Sequence, residues 1–432
     1  MAVGTFVLVG GRLGEIFGHK RMFILGIGWS AAWSAVVGAS SYTTETLFLI
    51  SRAFQGLGAA LTLPSGLALL GVTYPAGVRE RMVLTLYATM SPIGLLMGAV
   101  GASTLTLAWW PWTYWAFSMT SIVIMAVGSF AIPSASRAAG LPVSARATIT
   151  ELDVPGMIAG VTSLALFGFA WNQAQTTGWQ QPYLWIALII SVLLGALFVM
   201  IENCYAPKPL IPFSKLTPEA LWILIVVACG WSCFGIWIFY SWRFMEDLRS
   251  ASPLLSTAYL FPLAVVGCLS VVCTGLMPHR VSLYAVLCLA LLMITAGGIL
   301  VATMPIVQIY WAQLFASTLT MSWGLYTSVP AAMLLISNAV DKTHYSVTAS
   351  LVTAITYYSI ALGLGVAGTV KRNMNNGSLG KQSRLNGYKN VFWTSVGLAG
   401  LGFVICLALA LRSSGRQERV RCCKCHSIVA DR

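Results

Sequence analysis

The chain has 432 residues, of which 58% are hydrophobic and 9% are charged, with 25 Lys and Arg against 12 Asp and Glu. So small a charged fraction over this length excludes a soluble globular protein and predicts one embedded in a lipid bilayer. The net charge of +13 is spread over loops between apolar segments and over the C-terminal tail. Membrane topology and anionic lipid explain charge in those places, so nucleic-acid binding is not expected.

The N-terminal segment is short and apolar. Residues 2–10 would reach about 14 Å as a helix, which is less than half of a bilayer core of about 30 Å. No basic stretch precedes them and no cleavage pattern follows, so a signal peptide is not expected. We expect the tail end of a helix whose beginning is missing, followed by a short charged loop at 11–21.

Twelve later segments are long and apolar enough to cross a bilayer as helices, which need roughly 20 residues. The sequence therefore predicts an all-α membrane protein with twelve full transmembrane helices and a partial N-terminal one. The twelve segments are 22–40, 46–74, 82–106, 112–133, 154–174, 183–202, 219–241, 253–275, 281–303, 305–337, 346–370 and 390–411.

Lys and Arg set the orientation. With the 11–21 loop in the cytoplasm, most of the 25 basic residues fall on the cytoplasmic side, which places both ends of the chain there. The polar stretch 371–390 is then outside, and it holds the chain's glycosylation sequon at Asn376.

Arg52 is the only charge well inside a predicted span. Placing an arginine at mid-helix costs about 2.5–3.5 kcal/mol on insertion scales, so such residues usually face a protein interior or a pathway. Two interpretations stay open. Arg52 is either a structural residue that reaches toward an interface, or a functional one that tunes a titrating group or grips substrate.

The charged loop carries a resemblance. It resembles the signature loop between the second and third spans of the major facilitator superfamily through Gly11, Leu13, Glu15, Gly18, Lys20 and Arg21. The run 52–58, with Arg52, Gln55 and Gly56, resembles the fourth-span motif of that superfamily. Within it, the stretches 108–112, 169–173 and 235–240 are similar to fungal fourteen-span drug:proton antiporters of the aminotriazole-resistance-like branch.

The resemblance implies a fold of two helical bundles that rock about a central pocket. It divides the chain into an incomplete N-terminal bundle (1–133), a linker with an inserted pair of spans (134–218), a C-terminal six-helix bundle (219–411) and a basic tail (412–432). In that frame one whole span and most of a second are missing, which we interpret as truncation.

Gating residues follow from the same resemblance. A charge network around Glu15, Lys20 and Arg21 would act as a latch, with Glu15 pairing with a cation or capping the next helix. The family has Asp at the position of Glu15. Antiporters carry Gly-Pro and spaced glycines in the fifth span, where this chain has a bend and a close helix contact predicted from Pro92, Gly94 and Gly98.

An internal repeat supports the two-bundle fold. Gly58 and Pro64 recur as Gly324 and Pro330, about 266 residues later, and the pair 98 and 101 recurs as 365 and 368. Such duplication is typical of transporters.

Proton coupling is implied by the resemblance but not by visible residues. All 12 carboxylates and all 4 His fall in loops, tails or helix ends. Either the chain is truncated, which we favour, or the protein does not couple to protons through a buried carboxylate. No nucleotide-binding loop, metal pair or catalytic nucleophile motif is present, so neither a cofactor nor an enzymatic activity is expected.

Aromatic and polar side chains in the spans are candidates for a substrate cavity. Such walls suit apolar or cationic organic molecules, although interfacial belts and helix packing explain aromatics equally well. The candidates are Trp171, Asn172, Gln173, Trp237, Tyr240, Gln313, Trp323 and Tyr326. In the tail, the cluster 422–426 permits metal binding, palmitoylation or a plain disordered basic tail.

The sequence thus predicts a monomeric secondary transporter of the plasma membrane, with the vacuolar membrane as the other location. It would export drugs, toxins or secondary metabolites by proton antiport. Two alternatives stay open: low-affinity movement of a small polar solute such as ammonium or borate, and an inactive fragment or regulatory membrane protein.

Overall fold

The computed structural model describes residues 1–74, 78–133, 153–206, 209–211, 216–276, 282–339, 345–374 and 381–430. Every regular element within those ranges is helical, in agreement with the predicted all-α class. The α-helices are α1 Ala2–Phe17, α2 His19–Ala39, α3 Glu45–Thr73, α4 Val78–Ala108, α5 Pro111–Ala131, α6 Val154–Thr177, α7 Pro182–Cys204, α8 Pro218–Arg249, α9 Pro253–Tyr259, α10 Phe261–Gly275, α11 Leu283–Ala302, α12 Gln313–Ala339, α13 Tyr345–Met374 and α14 Lys381–Ala430.

The described helices include twelve stretches long and apolar enough to cross a membrane, with α9 and α10 counted together. They coincide with the twelve predicted segments, which confirms the predicted spans. α1, with 16 residues, is shorter than the roughly 20 residues of a full crossing.

The prediction of a charged loop at 11–21 is wrong. α1 continues through Phe17, and the chain leaves helical geometry at Gly18, where φ is 95°, before α2 begins at His19. The earlier glycines are helical because they pack against other helices rather than turn: a Cβ on Gly14 would lie 3.3 Å from the Ser65 hydroxyl of α3. One glycine with a positive φ therefore makes the whole connection.

The C-terminal tail also differs from the expectation. α14 continues to Ala430, so the stretch expected to be disordered extends the last span as helix. The side chains of the cluster 422–426 lie outside the described residues.

The internal repeat appears as two equivalent helix pairs. α3 crosses α2 at Gly58, where a Cβ would meet the backbone oxygen of Gly26, and α12 crosses α11 at Gly324, where a Cβ would meet that of Ala290. A proline lies six residues beyond each glycine, inside the helix. The same close approach, made by the same spacing, relates the two halves.

The two halves are buried to different degrees. The span of α8 is 67% buried, because α8 packs among α11, α12, α13 and α14, whereas α4 and α5 are each 11% buried. Among the described helices, none takes the place of α8 between α2 and α5. The halves meet where α1 packs along α13 and α4 along α10. In the pair predicted to be inserted, α6 packs against α13 and α1, and α7 packs against α6.

Candidate substrate pathway

The contact between α4 and α10 joins the two halves most directly. Gly267 of α10 faces Pro92 of α4 and Tyr326 of α12: a Cβ on Gly267 would lie 2.8 Å from the Pro92 Cβ and 2.7 Å from the Tyr326 ring. Further along, the Cys268 thiol contacts the backbone oxygen of Thr89 at 3.7 Å. Only a glycine at 267 allows the bundles to approach this closely.

Three tyrosines surround this contact. Tyr326 is 7% exposed, and its hydroxyl lies within hydrogen-bonding reach of Ser91 in the other half. Tyr357 of α13 lies near both Tyr326 and Tyr87 of α4. Tyr87 and Tyr357 are each 37% exposed, so part of each phenol ring is accessible beside the contact. Such rings offer an apolar face and a hydroxyl to a bound molecule.

Sequence analysis missed Tyr87. No motif marks it, but Tyr87 and Ser91 stand four residues apart, a spacing that puts both on one helix face. The prediction that Gly94 and Gly98 make a close helix contact is wrong within the described residues. A Cβ at either position meets nothing within 4 Å. α10 packs instead on the face of α4 that carries Thr89 and Pro92.

Arg52 belongs to a hydrogen-bond chain within the first half. Its guanidinium donates to Gln55 Oε1 (2.6 Å), the Gln55 amide donates to Ser34 Oγ (2.9 Å), and Ser34 donates to the Tyr114 carbonyl (3.2 Å). The guanidinium carbon also lies 5.3 Å from the centre of the Tyr114 ring. This chain ties α3 to α2 and α5, while the Arg52 side chain remains exposed. Gly56, one turn further along α3, packs against Ala2 of α1.

The resemblance motif lies where α1 meets the second half. A Cβ on Gly11 would lie 3.1 Å from the Ser350 hydroxyl of α13 and 3.7 Å from Pro64 of α3. Leu13 is half-buried on the same helix. Of the motif glycines, Gly11 therefore contributes a close contact between the halves.

The motif charges form no bond between helices in the described part of the chain. Glu15 pairs with Arg12 on its own helix at 2.7 Å. Glu15 does not cap α2, whose N-cap is Gly18 without a side-chain bond. Lys20 and Arg21 open α2 without a described ion pair. The expected pairing of Glu15 with a cation is thus present, but within one helical turn.

The remaining cavity candidates do not gather at one place. Trp237 is fully buried in the second bundle, where its indole donates to Ser317 Oγ at 2.8 Å. Tyr240 is also buried, 5.4 Å from the Lys371 ammonium. The others are half-buried: Trp171, Asn172 and Gln173 on α6, and Gln313 and Trp323 on α12. Of the eight, Tyr326 alone is at the contact between the halves.

A separate cavity of about 320 Å³ lies between the inserted pair and both halves. It is lined by α1, α6, α7, α13 and the segment 210–211, and its walls are almost wholly apolar, as Met157, Phe198 and Leu351 illustrate. The sequon residue Asn376 lies outside the described residues, so glycosylation stays a prediction.

Comparison with known proteins agrees with this architecture. Residues 1–366 match the model of the Major Facilitator Superfamily. The chain belongs to this superfamily. Its members are membrane transporters, so the protein is a multi-pass membrane transporter and not an enzyme.

Curated relatives of this superfamily member are fungal. The chain is 42% identical to the low affinity ammonium transporter of Saccharomyces cerevisiae, over 95% of this chain and 79% of that protein. It is 37% identical to the efflux pump terJ of Aspergillus terreus (95% and 78%) and 31% identical to the aminotriazole resistance protein of S. cerevisiae (97% and 76%). These matches confirm the resemblance to the aminotriazole-resistance-like branch.

A solved structure shares the fold. A peptide transporter crystallised with sulfate superposes with a TM-score of 0.64 at 14% identity, covering 95% of this chain and 85% of that one.

Proposed function

We propose that this superfamily member exports small organic molecules, and that the tyrosine-lined space between its halves is the route they take. Efflux pumps are among its relatives at 35–37% identity. The described contact between the halves offers phenol rings from α4, α12 and α13, and no carboxylate. Such walls favour aromatic and cationic organic compounds through stacking and cation–π attraction.

The proposed mechanism is alternating access in the plasma membrane by a single chain. Close contacts between the halves include Gly267 with Pro92 and Gly11 with Ser350. Each contact depends on a glycine and buries few strong polar bonds, so it separates and re-forms at low cost. Rocking about these contacts would open the central space to either side. Exchange for protons would drive export.

A second candidate is low-affinity movement of ammonium. The observation that favours it is the 42% identity to an ammonium transporter, which exceeds the identity to the efflux pumps cited above. The two candidates differ in the size and apolar surface of the molecule carried. Loss of an aromatic ring from the wall should therefore weaken transport of an organic molecule but not transport of ammonium.

Transport into inside-out vesicles tests both. Accumulation of ethidium, an aromatic cation, driven by an acidic vesicle lumen would support proton-driven export. Uptake of labelled methylammonium without ethidium uptake would support the second candidate. Uptake no greater than in vesicles lacking the protein would contradict both, and ethidium uptake insensitive to the pH gradient would contradict antiport.

A matched pair of variants tests the route. Tyr357→Ala removes a ring from the space between the halves, whereas Tyr42→Ala removes an exposed ring at the end of α2. We expect Tyr357→Ala to raise the KM for ethidium by at least severalfold and Tyr42→Ala to leave it unchanged. Equal KM values for the two variants would exclude the proposed route.

A further inference from the structure

Two carboxylates are buried at one end of the inserted pair. Asp153 immediately precedes α6, and Glu202 lies in the last turn of α7. They are 6% and 4% exposed. Glu202 lies beside Leu210 and Ile211, the short segment on the way from α7 to α8, which also lines the 320 Å³ cavity.

Each carboxyl group has one oxygen engaged and one oxygen without a partner. Asp153 Oδ1 accepts from the Gly156 N–H at 3.3 Å, and Glu202 Oε2 accepts from the Ile211 N–H at 3.4 Å. Asp153 Oδ2 and Glu202 Oε1 are buried with no hydrogen-bond donor among the described residues. The two side chains nevertheless interact directly with each other.

Two ionised carboxylates cannot rest in contact away from water. They would repel, and both free oxygens would be left desolvated and unsatisfied. A single proton removes both problems, because one carboxyl then donates a short, charge-assisted O–H···O bond to the other. The backbone of Asp153 is consistent with a strongly held position, since its φ of 46° is rarely adopted by residues other than glycine.

Among the described residues, neither carboxylate forms an ion pair with a basic side chain. The charged side chains on α1 and in the first turn of α8 are the Arg12–Glu15 pair and Glu219. The charged group that acts on Glu202 is Asp153. Lys208 and Lys215 lie outside the described residues, so the experiment below must distinguish a shared proton from an ion pair with a lysine.

We propose that Asp153 and Glu202 form a proton-binding site in which one proton is shared at neutral pH. The bound proton joins the start of α6 to the end of α7 and, through Ile211, to the segment that leads into the C-terminal bundle. Loss of the proton leaves two adjacent negative charges that push the joint apart. The assignment of this proton to transport rests on the proposed antiport, whereas the existence of the site does not.

Infrared difference spectroscopy on the purified full chain in lipid tests the site without a transport assay. Wild type should show a protonated carboxyl band at neutral pH that disappears in Glu202→Gln and in Asp153→Asn. The matched control is Glu45→Gln, because Glu45 is an exposed glutamate in the first turn of α3. A wild type without this band, as expected if both groups are ionised beside a lysine, would overturn the proposal, and so would a band that survives both substitutions.

Stability against pH gives a second readout. The native pair keeps a proton that the unfolded carboxyls release, so the folding equilibrium constant should fall by up to about tenfold per pH unit across the titration. In Glu202→Gln the amide N–H donates to Asp153 without a proton that titrates, so this pH dependence should vanish. Glu45→Gln should keep the wild-type pH dependence. Equal slopes in the two variants would contradict the site. A confirmed site in a protein without proton-driven transport would refute the antiport alone.

Discussion

The contact of Gly267 with Pro92 can be tested with one added methyl group. In Gly267→Ala the new Cβ would lie 2.8 Å from the Pro92 Cβ and 2.7 Å from the Tyr326 ring, about 0.6 Å short of ordinary contact. The Tyr326 ring can rotate, but Pro92 is fixed by its own helix, so α4 and α10 must separate. Overpacking of this kind costs about 1–3 kcal/mol, which corresponds to roughly a 5- to 160-fold loss of the closely packed arrangement.

Gly98→Ala is the matched control, because a Cβ at Gly98 of α4 meets nothing within 4 Å. Both substitutions replace a helical glycine by alanine, and both gain the same roughly 0.5–1 kcal/mol of helix propensity. The difference between the two variants therefore isolates the contact between the halves.

The assay is the initial rate of ethidium uptake into inside-out vesicles, normalised to the amount of folded protein by fluorescence-detected chromatography. We expect Gly267→Ala to lose at least fivefold in rate, whereas Gly98→Ala keeps the wild-type rate. Equal rates in the two variants would refute the argument that transport requires this contact to form in each cycle.

Three further predictions concern other parts of the molecule. Arg52→Ala should abolish transport while leaving membrane targeting intact, because it removes the guanidinium that joins α3 to Tyr114 of α5; full transport in this variant would contradict a role of Arg52 in transport. Ser317→Ala should lower the free energy of unfolding by about 1–3 kcal/mol, since Trp237 loses its buried acceptor, and the melting temperature should fall with it. The control Ser129→Ala loses only a bond within its own helix and should show a much smaller fall in melting temperature. Similar falls in the two variants would count against the Trp237 contact. Asn376→Gln should abolish any mass decrease on endoglycosidase treatment of the yeast-expressed protein, and a wild type that shows no such decrease would contradict glycosylation.

The sequence was sufficient to predict those features that depend on residues close together in the chain. Runs of about 20 apolar residues have one stable arrangement in lipid, because a helix satisfies its own backbone, and so all twelve spans could be predicted. The repeat of Gly58 as Gly324 could also be recognised in the sequence. Each glycine lies where two helices cross too closely for a side chain, and a proline follows at the same spacing in both halves.

Local patterns gave wrong predictions at glycines, because a glycine can either turn the chain or let another helix pack closely. Gly11 and Gly14 look like loop residues beside charges, yet they remain helical because neighbouring helices pack against them. Gly94 and Gly98 look like packing residues, yet they face open space. Whether a glycine turns the chain or admits a neighbour depends on what lies beside it, and the residue itself carries no sign of that.

Composition determined a helical membrane protein and spacing predicted two related halves, because hydrophobicity and duplication are present residue by residue; the motif residues carried the resemblance to a transporter superfamily. Tertiary structure alone decided which side chains meet. Tyr87 and Tyr326 belong to different halves, and Asp153 and Glu202 belong to the beginning and the end of a helical hairpin in the sequence, so no periodicity links them. Their proximity follows from the crossing of whole helices, and it is that crossing which turns two ordinary helix-end carboxylates into a buried pair.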